Sequence, residues 1–208
     1  MAEFNKPALF GGNEFEAFRG GEDPAAVLRS AHESARMLVA RARDTDDPAV
    51  VDRLVTYTDE HGLDALAELW ARSSPHSLPG ALWRIYLVRV LIRQDPDGVA
   101  LLYQRGTEVL STIDPVVAGT PLPAGPQEVS DLADRILRGA FEGDFAIALE
   151  RAAAFCRVTA AGALSVADDQ DAASPERATE LTTRAQRLIT TADELMACAR
   201  MSRDDTLD

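Results

Sequence analysis

His61 sits in the densest run of potential metal ligands in the chain, Asp59-Glu60-His61-Gly62-Leu63-Asp64. A hard cation could be held by Asp59, Asp64 and a carbonyl, and a softer metal by His61 with a carboxylate. Neighbours on a helix point apart, so Asp59, Glu60 and His61 do not converge on one point. Capping accounts for the same residues: His61 favours the carbonyl end of one helix, and Asp64 opens the next. A second candidate is Trp83-Arg84-Ile85-Tyr86-Leu87-Val88-Arg89, with Arg93 one turn on. A helix this apolar buries some of its arginines, and a buried guanidinium requires partners. Those partners are either an anionic ligand, in a pocket formed by Trp83, Arg84, Tyr86, Arg89 and Arg93, or carboxylates of the same chain.

Complete catalytic sets are missing from the sequence. There is no phosphate-binding loop of the Gly-x-x-x-x-Gly-Lys-Ser/Thr type and no Gly-x-Ser-x-Gly nucleophile elbow. His32-Glu33 begins like a zinc-protease motif, but Arg36 stands where the second histidine belongs. Di-iron bundles need Glu-x-x-His, and the residues three before His32, His61 and His76 are Arg29, Thr58 and Ser73. Cys156 lies in an apolar helical run, where thiols are inert. No catalytic residue and no cofactor are assigned.

The bulk composition narrows the classes further. Acidic residues outnumber basic ones 34 to 21 across 208 residues, a net charge of −13. That field repels phosphates, so no direct nucleic-acid partner is expected. Lys6 is the single lysine; every other basic side chain is arginine. Two cysteines outside any Cys-x-x-Cys pair make no disulfide framework, and by helix rise Cys156 lies level with residue 184 rather than with Cys198. Two free thiols and a cytoplasmic location are therefore expected. Residues 1–20 lack the basic and apolar regions of a signal peptide. The longest apolar stretch, Leu82 to Ile92, is too short to span a bilayer, so no membrane role is expected.

The elements that must position these residues all read as helices. Asp23-Pro24, Asp47-Pro48 and Asp95-Pro96 are start signals, with a capping carboxylate before a proline whose missing donor is harmless. Apolar residues follow each at helical spacing. Leu63 to Ser73 makes a shorter helix, and Leu82 to Ile92, apolar almost all round, is expected at the centre of the fold. Pro115, Pro121, Pro123 and Pro126, with Gly119 and Gly125, exclude a helix over 111–126. Three more helices follow, the last opening at Ser174-Pro175 and running to about Met201. The expected organisation is an aromatic-bearing arm over 1–22, a front helical group over 23–110, a connector over 111–126, rear helices over 127–203 on the same core, and a tail over 204–208. The fold class is all-α, an irregular bundle of about eight helices, with a short solenoid of helical pairs as the alternative.

The last helix carries the sharpest pattern. Leu181, Leu188 and Leu195 recur every seventh residue, with Ala185 and Ala192 interleaved. Such a seam lets another helix approach closely. It serves either a homodimer or the neighbouring long helix of the same chain, which is a partner already at hand.

Two segments carry a resemblance. Asp59-Glu-His-Gly-Leu-Asp-Ala-Leu-Ala-Glu-Leu-Trp70, continuing through Ser77-Leu-Pro-Gly-Ala-Leu-Trp-Arg-Ile-Tyr-Leu-Val-Arg89, resembles a group of helical proteins from actinobacteria with no established activity. Arg138-Gly-Ala-Phe-Glu-Gly-Asp-Phe-Ala-Ile-Ala-Leu-Glu-Arg-Ala-Ala-Ala-Phe155 does the same. The resemblance implies a lineage and carries over no site residues.

The leading functional expectation is a non-catalytic protein–protein interaction or regulatory module, possible as a homodimer through Leu181, Ala185, Leu188, Ala192 and Leu195. The alternative is a small-molecule binding or sensor protein for an anionic ligand at Trp83, Arg84, Tyr86, Arg89 and Arg93. A metal-dependent enzyme at Asp59, His61 and Asp64 comes third.

Overall fold

The computed structural model describes residues 23–43, 69–122 and 124–208. Among them the chain is all-helical and contains no strand. The order is α1 (Pro24–Arg43), α2 (Leu78–Gln94), α3 (Pro96–Val109), α4 (Asp114–Ala118), α5 (Pro126–Glu142), α6 (Phe145–Gln170) and α7 (Pro175–Arg203). Residues 69–71 are helical as well. The arm over 1–22, the helix expected after Asp47-Pro48 and most of that expected over Leu63 to Ser73 lie outside the described residues.

Helix starts follow the capping chemistry of the sequence. The Ser77 hydroxyl accepts from the Gly80 N–H at 3.2 Å and opens α2. The Asp95 carboxylate ends α2 and opens α3 in the same step, accepting from the Gly98 N–H at 2.9 Å. Glu128 turns back to accept from the Gly125 N–H at 2.9 Å at the head of α5. Asp144 caps α6 by accepting from the Ile147 N–H at 3.1 Å. Each cap satisfies a donor that the helix itself cannot.

The connector differs from the expectation. Residues 114–118 form a one-turn helix within the segment from which prolines and glycines seemed to exclude one. Pro115 falls in its first turn, where no donor is needed, and Gly119 ends it at a φ of 75°, a conformation open to glycine. Asp114 then receives the Arg157 Nε at 2.8 Å, which ties α4 to α6.

The centre of the bundle also moves. It is α6, not the helix over Leu82 to Ile92: α2, α3, α4, α5 and α7 all pack against α6. That arrangement is a bundle rather than a solenoid, in which each unit meets only its neighbours. Small side chains make it possible, because Ala152, Ala153 and Ala154 are buried on successive faces of one turn. Backbones meet closely where α3 crosses α6, at Gly106 and Gly162. Tyr103 stacks on Phe155 beside that crossing, ring centroids 5.4 Å apart. α2 instead has an inner face of Leu82, Ile85, Val88 and Ile92 and an outer edge on which Leu87 is 41% exposed.

α7 lies mainly along α6. Leu181, Ala185, Leu188, Ala192 and Leu195 are all buried within the single chain. The seam is therefore covered within the chain, mainly by α6, with Leu188 at the edge shared with α2.

The ion pair of Arg203 with Glu150, in which Nη2 meets Oε2 at 2.8 Å, holds the end of α7 to α6. The hydrogen bond and charge of Arg203 hold the Glu150 carboxyl below its ordinary range, against an opposing effect of burial. A lowered folded-state value stabilises the fold above the ordinary carboxylate range, and that contribution is lost as pH falls through the folded value. Glu150→Gln should lower Tm at neutral pH by on the order of one degree. The difference should vanish in acid, and thermal melts of both proteins across a pH series check it.

Candidate groove between α2 and α7

α2 and α7 run antiparallel. At one end Arg84 Nε meets Glu194 Oε2 at 2.5 Å, and the Cys198 thiol donates to the Pro75 carbonyl at 3.2 Å. At the other end the charge of Asp95 acts on Arg184. Between these ends lies a groove of about 660 Å³. Leu87, Val88 and Leu91 form its α2 wall; Thr179, Glu180, Thr183, Arg184, Arg187, Leu188 and Thr191 form its α7 wall. The size falls in the range of small-molecule sites.

Local chemistry makes the threonines of the α7 wall present an apolar surface. The hydroxyls of Thr179, Thr183 and Thr191 each donate to the carbonyl four residues back, at 2.9 Å. Their polar atoms are satisfied within the helix, which leaves the methyl groups to meet a ligand. These side chains are also short, so the two helices do not fill the space between them.

Glu180 and Arg187 interrupt this wall with charge, and so does Arg184. Its Nε and Nη2 are sheltered from solvent and have no hydrogen-bond partner. Burial pushes the guanidinium below its usual value, with Asp95 opposing and Arg177 adding to the shift. Glu180, one turn earlier and well placed for an ion pair with Arg184, instead accepts from Arg177 Nη1 at 3.1 Å. An unsatisfied buried donor costs about 1–3 kcal/mol, and more when charged. The side-on edge of a guanidinium, with two parallel N–H groups, matches a carboxylate.

The arginines singled out in the sequence have other partners. Arg84 pairs with Glu194 and also donates to the Gly80 carbonyl at 2.9 Å. Arg89, 3% exposed, meets Asp134 at 3.1 Å, and Arg93 meets the same carboxylate oxygen at 3.4 Å. Trp83 and Tyr86 stack on each other with centroids 5.5 Å apart. None of these five residues is among those lining the groove, which lies along a neighbouring face of the same helix. Asp134→Ala should cost about 1–3 kcal/mol, because Arg89 loses a carboxylate partner while remaining buried. Urea denaturation measures that loss; an unchanged midpoint would show the pair to be dispensable.

Asp59, His61 and Asp64 lie outside the described residues. Among the described residues no group of His, Cys, Asp or Glu is arranged to hold a metal ion. Cys156 and Cys198 are free and buried, and burial raises their thiols to about 12 and about 11. Thiols held so far from ionisation are poor nucleophiles. No helix among the described residues is long and apolar enough to cross a membrane.

Sequence reasoning missed Arg184, Leu87 and Leu91 as a set. The available signal was the threonine spacing on α7, 179, 183 and 191, beside an arginine. Glu180 four residues before Arg184 reads as an ordinary surface ion pair and concealed it. In comparison with known proteins, no family model, curated protein or solved structure matches the chain.

Proposed function

We propose that this chain is a non-catalytic binding protein, and that it takes a small anionic ligand in the groove between α2 and α7. One observation carries the reading: Arg184 lines the groove, and its Nε and Nη2 are unsatisfied. A bound anion supplies the missing acceptor, so ligand and fold stabilise each other. The expected ligand class is the one read from the sequence, but its site is centred on Arg184 rather than on Arg84, Arg89 and Arg93. The two free thiols support a cytoplasmic setting. The net charge of −13 argues against nucleic acid as the direct partner.

Native mass spectrometry of the freshly purified protein, without chelators, tests this reading. A reproducible added mass, lost on Arg184→Met, supports it. A bare protein that gains no thermal stability from any small organic acid overturns it.

A second reading, the interaction module, is favoured by a different observation. Ile113 and Val116 are 69% and 76% exposed, with Val109 and Leu122 also exposed beside them in the chain. Exposed apolar side chains in one short stretch suit a protein partner. The same spectrum would register a homodimer.

A further inference from the structure

We infer that the ligand of the α2/α7 groove is a monocarboxylate with an unbranched apolar tail of medium length, its head on the Nε–Nη2 edge of Arg184. This deepens the binding reading above and rests on it. Three features select the class.

The first is charge. Arg184 and Arg187 stand against Glu180 on the same wall, two cations against one anion. The lining therefore carries one net positive charge, which a single carboxylate neutralises. A dianionic phosphate ester would bring a second charge with nothing left in the lining to meet it.

The second is geometry at the head. The unsatisfied atoms are Nε and Nη2, the pair that presents two parallel donors. A planar acid with two equivalent oxygens satisfies both at once, whereas an alcohol satisfies one. Because this edge is sheltered, the ion pair forms away from water and discriminates more strongly than a surface contact.

The third is the run of the apolar wall. From Arg184 to Thr191 the α7 wall advances seven residues, about 10 Å by helix rise. Leu188 lies along it, faced by Leu87, Val88 and Leu91 of α2. Less than one turn beyond, the Arg84–Glu194 pair bridges the two helices. A tail that stops short of this pair lies against Leu87, Val88, Leu91 and Leu188. A longer one meets charge and solvent.

Calorimetric titration of the full chain with octanoate, decanoate, dodecanoate and hexadecanoate, all below their aggregation concentrations, tests the tail. Affinity should rise about four-fold per added methylene over the shorter acids, then stop rising. Decanol and decylammonium test the head: each should bind at least ten-fold more weakly than decanoate. Arg184→Met should bring decanoate and decanol to within two-fold of each other. Its ligand-free Tm should equal or exceed that of the parent, which separates loss of recognition from loss of fold. Leu91→Glu, at the wall and away from the head, should weaken all the neutral and acidic probes together. Carboxylate preference with no gain from added methylenes would overturn the tail and leave the anion reading standing, whereas decanol binding as tightly as decanoate, or Arg184→Met leaving the carboxylate preference intact, would overturn both. Failure of every probe to bind the parent protein at millimolar concentration would sink both.

Discussion

Gly162→Ala is expected to destabilise the protein by about 3 kcal/mol or more, the upper part of the range for overpacking. A Cβ built at residue 162 falls 1.8 Å from the Leu102 carbonyl oxygen, and one at Gly106 falls 1.9 Å from that of Val158. Both obstacles are backbone, so no rotamer change relieves them. The two glycines face each other across the crossing of α3 and α6, and relief requires the helices to separate. Separation would part Tyr103 from Phe155, which are buried next to the crossing. Gly139→Ala on α5 is the control. A Cβ there meets only the Ala148 Cβ at 3.5 Å, an ordinary contact. Helix propensity should then stabilise that variant by about 0.5–1 kcal/mol. Urea midpoints of the two variants should move in opposite directions. A Gly162→Ala midpoint equal to that of the parent would show that the crossing is looser than these distances require.

Leu195→Ala should cost about 2–5 kcal/mol. Leu195 is fully buried on α7, the helix that packs mainly along α6. Truncation leaves a cavity between the two longest helices of the bundle, and Ala192 and Ala199 are too small to fill it. The consequence for assembly is equally definite. Because the seam is occupied within the chain, the variant should melt at lower temperature while keeping the molar mass of the parent in light scattering. Dissociation of a dimer at unchanged thermal stability would instead assign the seam to a second copy.

The two leucine and glycine predictions mark where the sequence was readable and where it was not. Asp23 and Asp95 announce helix starts through local chemistry, since a cap acts on donors two or three residues away. Both perform that role in the fold, while Ser174 opens α7 without a side-chain cap. The heptad of Leu181, Leu188 and Leu195 was equally plain as an apolar stripe, but a stripe has no label for its partner. The centre of the bundle was misjudged because large apolar residues drew attention to Leu82–Ile92. A helix enclosed on many sides needs small residues, and the alanines of α6 meet that need. Pro115 was read as a barrier, although a proline in the first turn of a helix breaks nothing.

The site was less legible than the fold for a related reason. Arg84, Arg89 and Arg93 stand out because they interrupt an apolar run, and they are matched by Glu194 and Asp134 from distant parts of the chain. Arg184 looks ordinary because Glu180 precedes it by four residues. Whether Glu180 turns toward Arg184 or toward Arg177 is a choice between two local pairs of similar strength. Periodicity carries no information about that choice; the three-dimensional surroundings decide it.

The alanines of α6 have one more consequence. An alanine side chain has no rotamers, so its burial costs no side-chain entropy, and once buried it has no alternative state to visit. The alanine stretch of α6 is therefore ordered at little cost in configurational freedom and holds almost none in reserve. Long side chains, Leu87, Leu91, Arg184 and Arg187, stand together along the outer edge between α2 and α7. Side-chain rearrangement falls to that edge, and the axis behind it stays fixed.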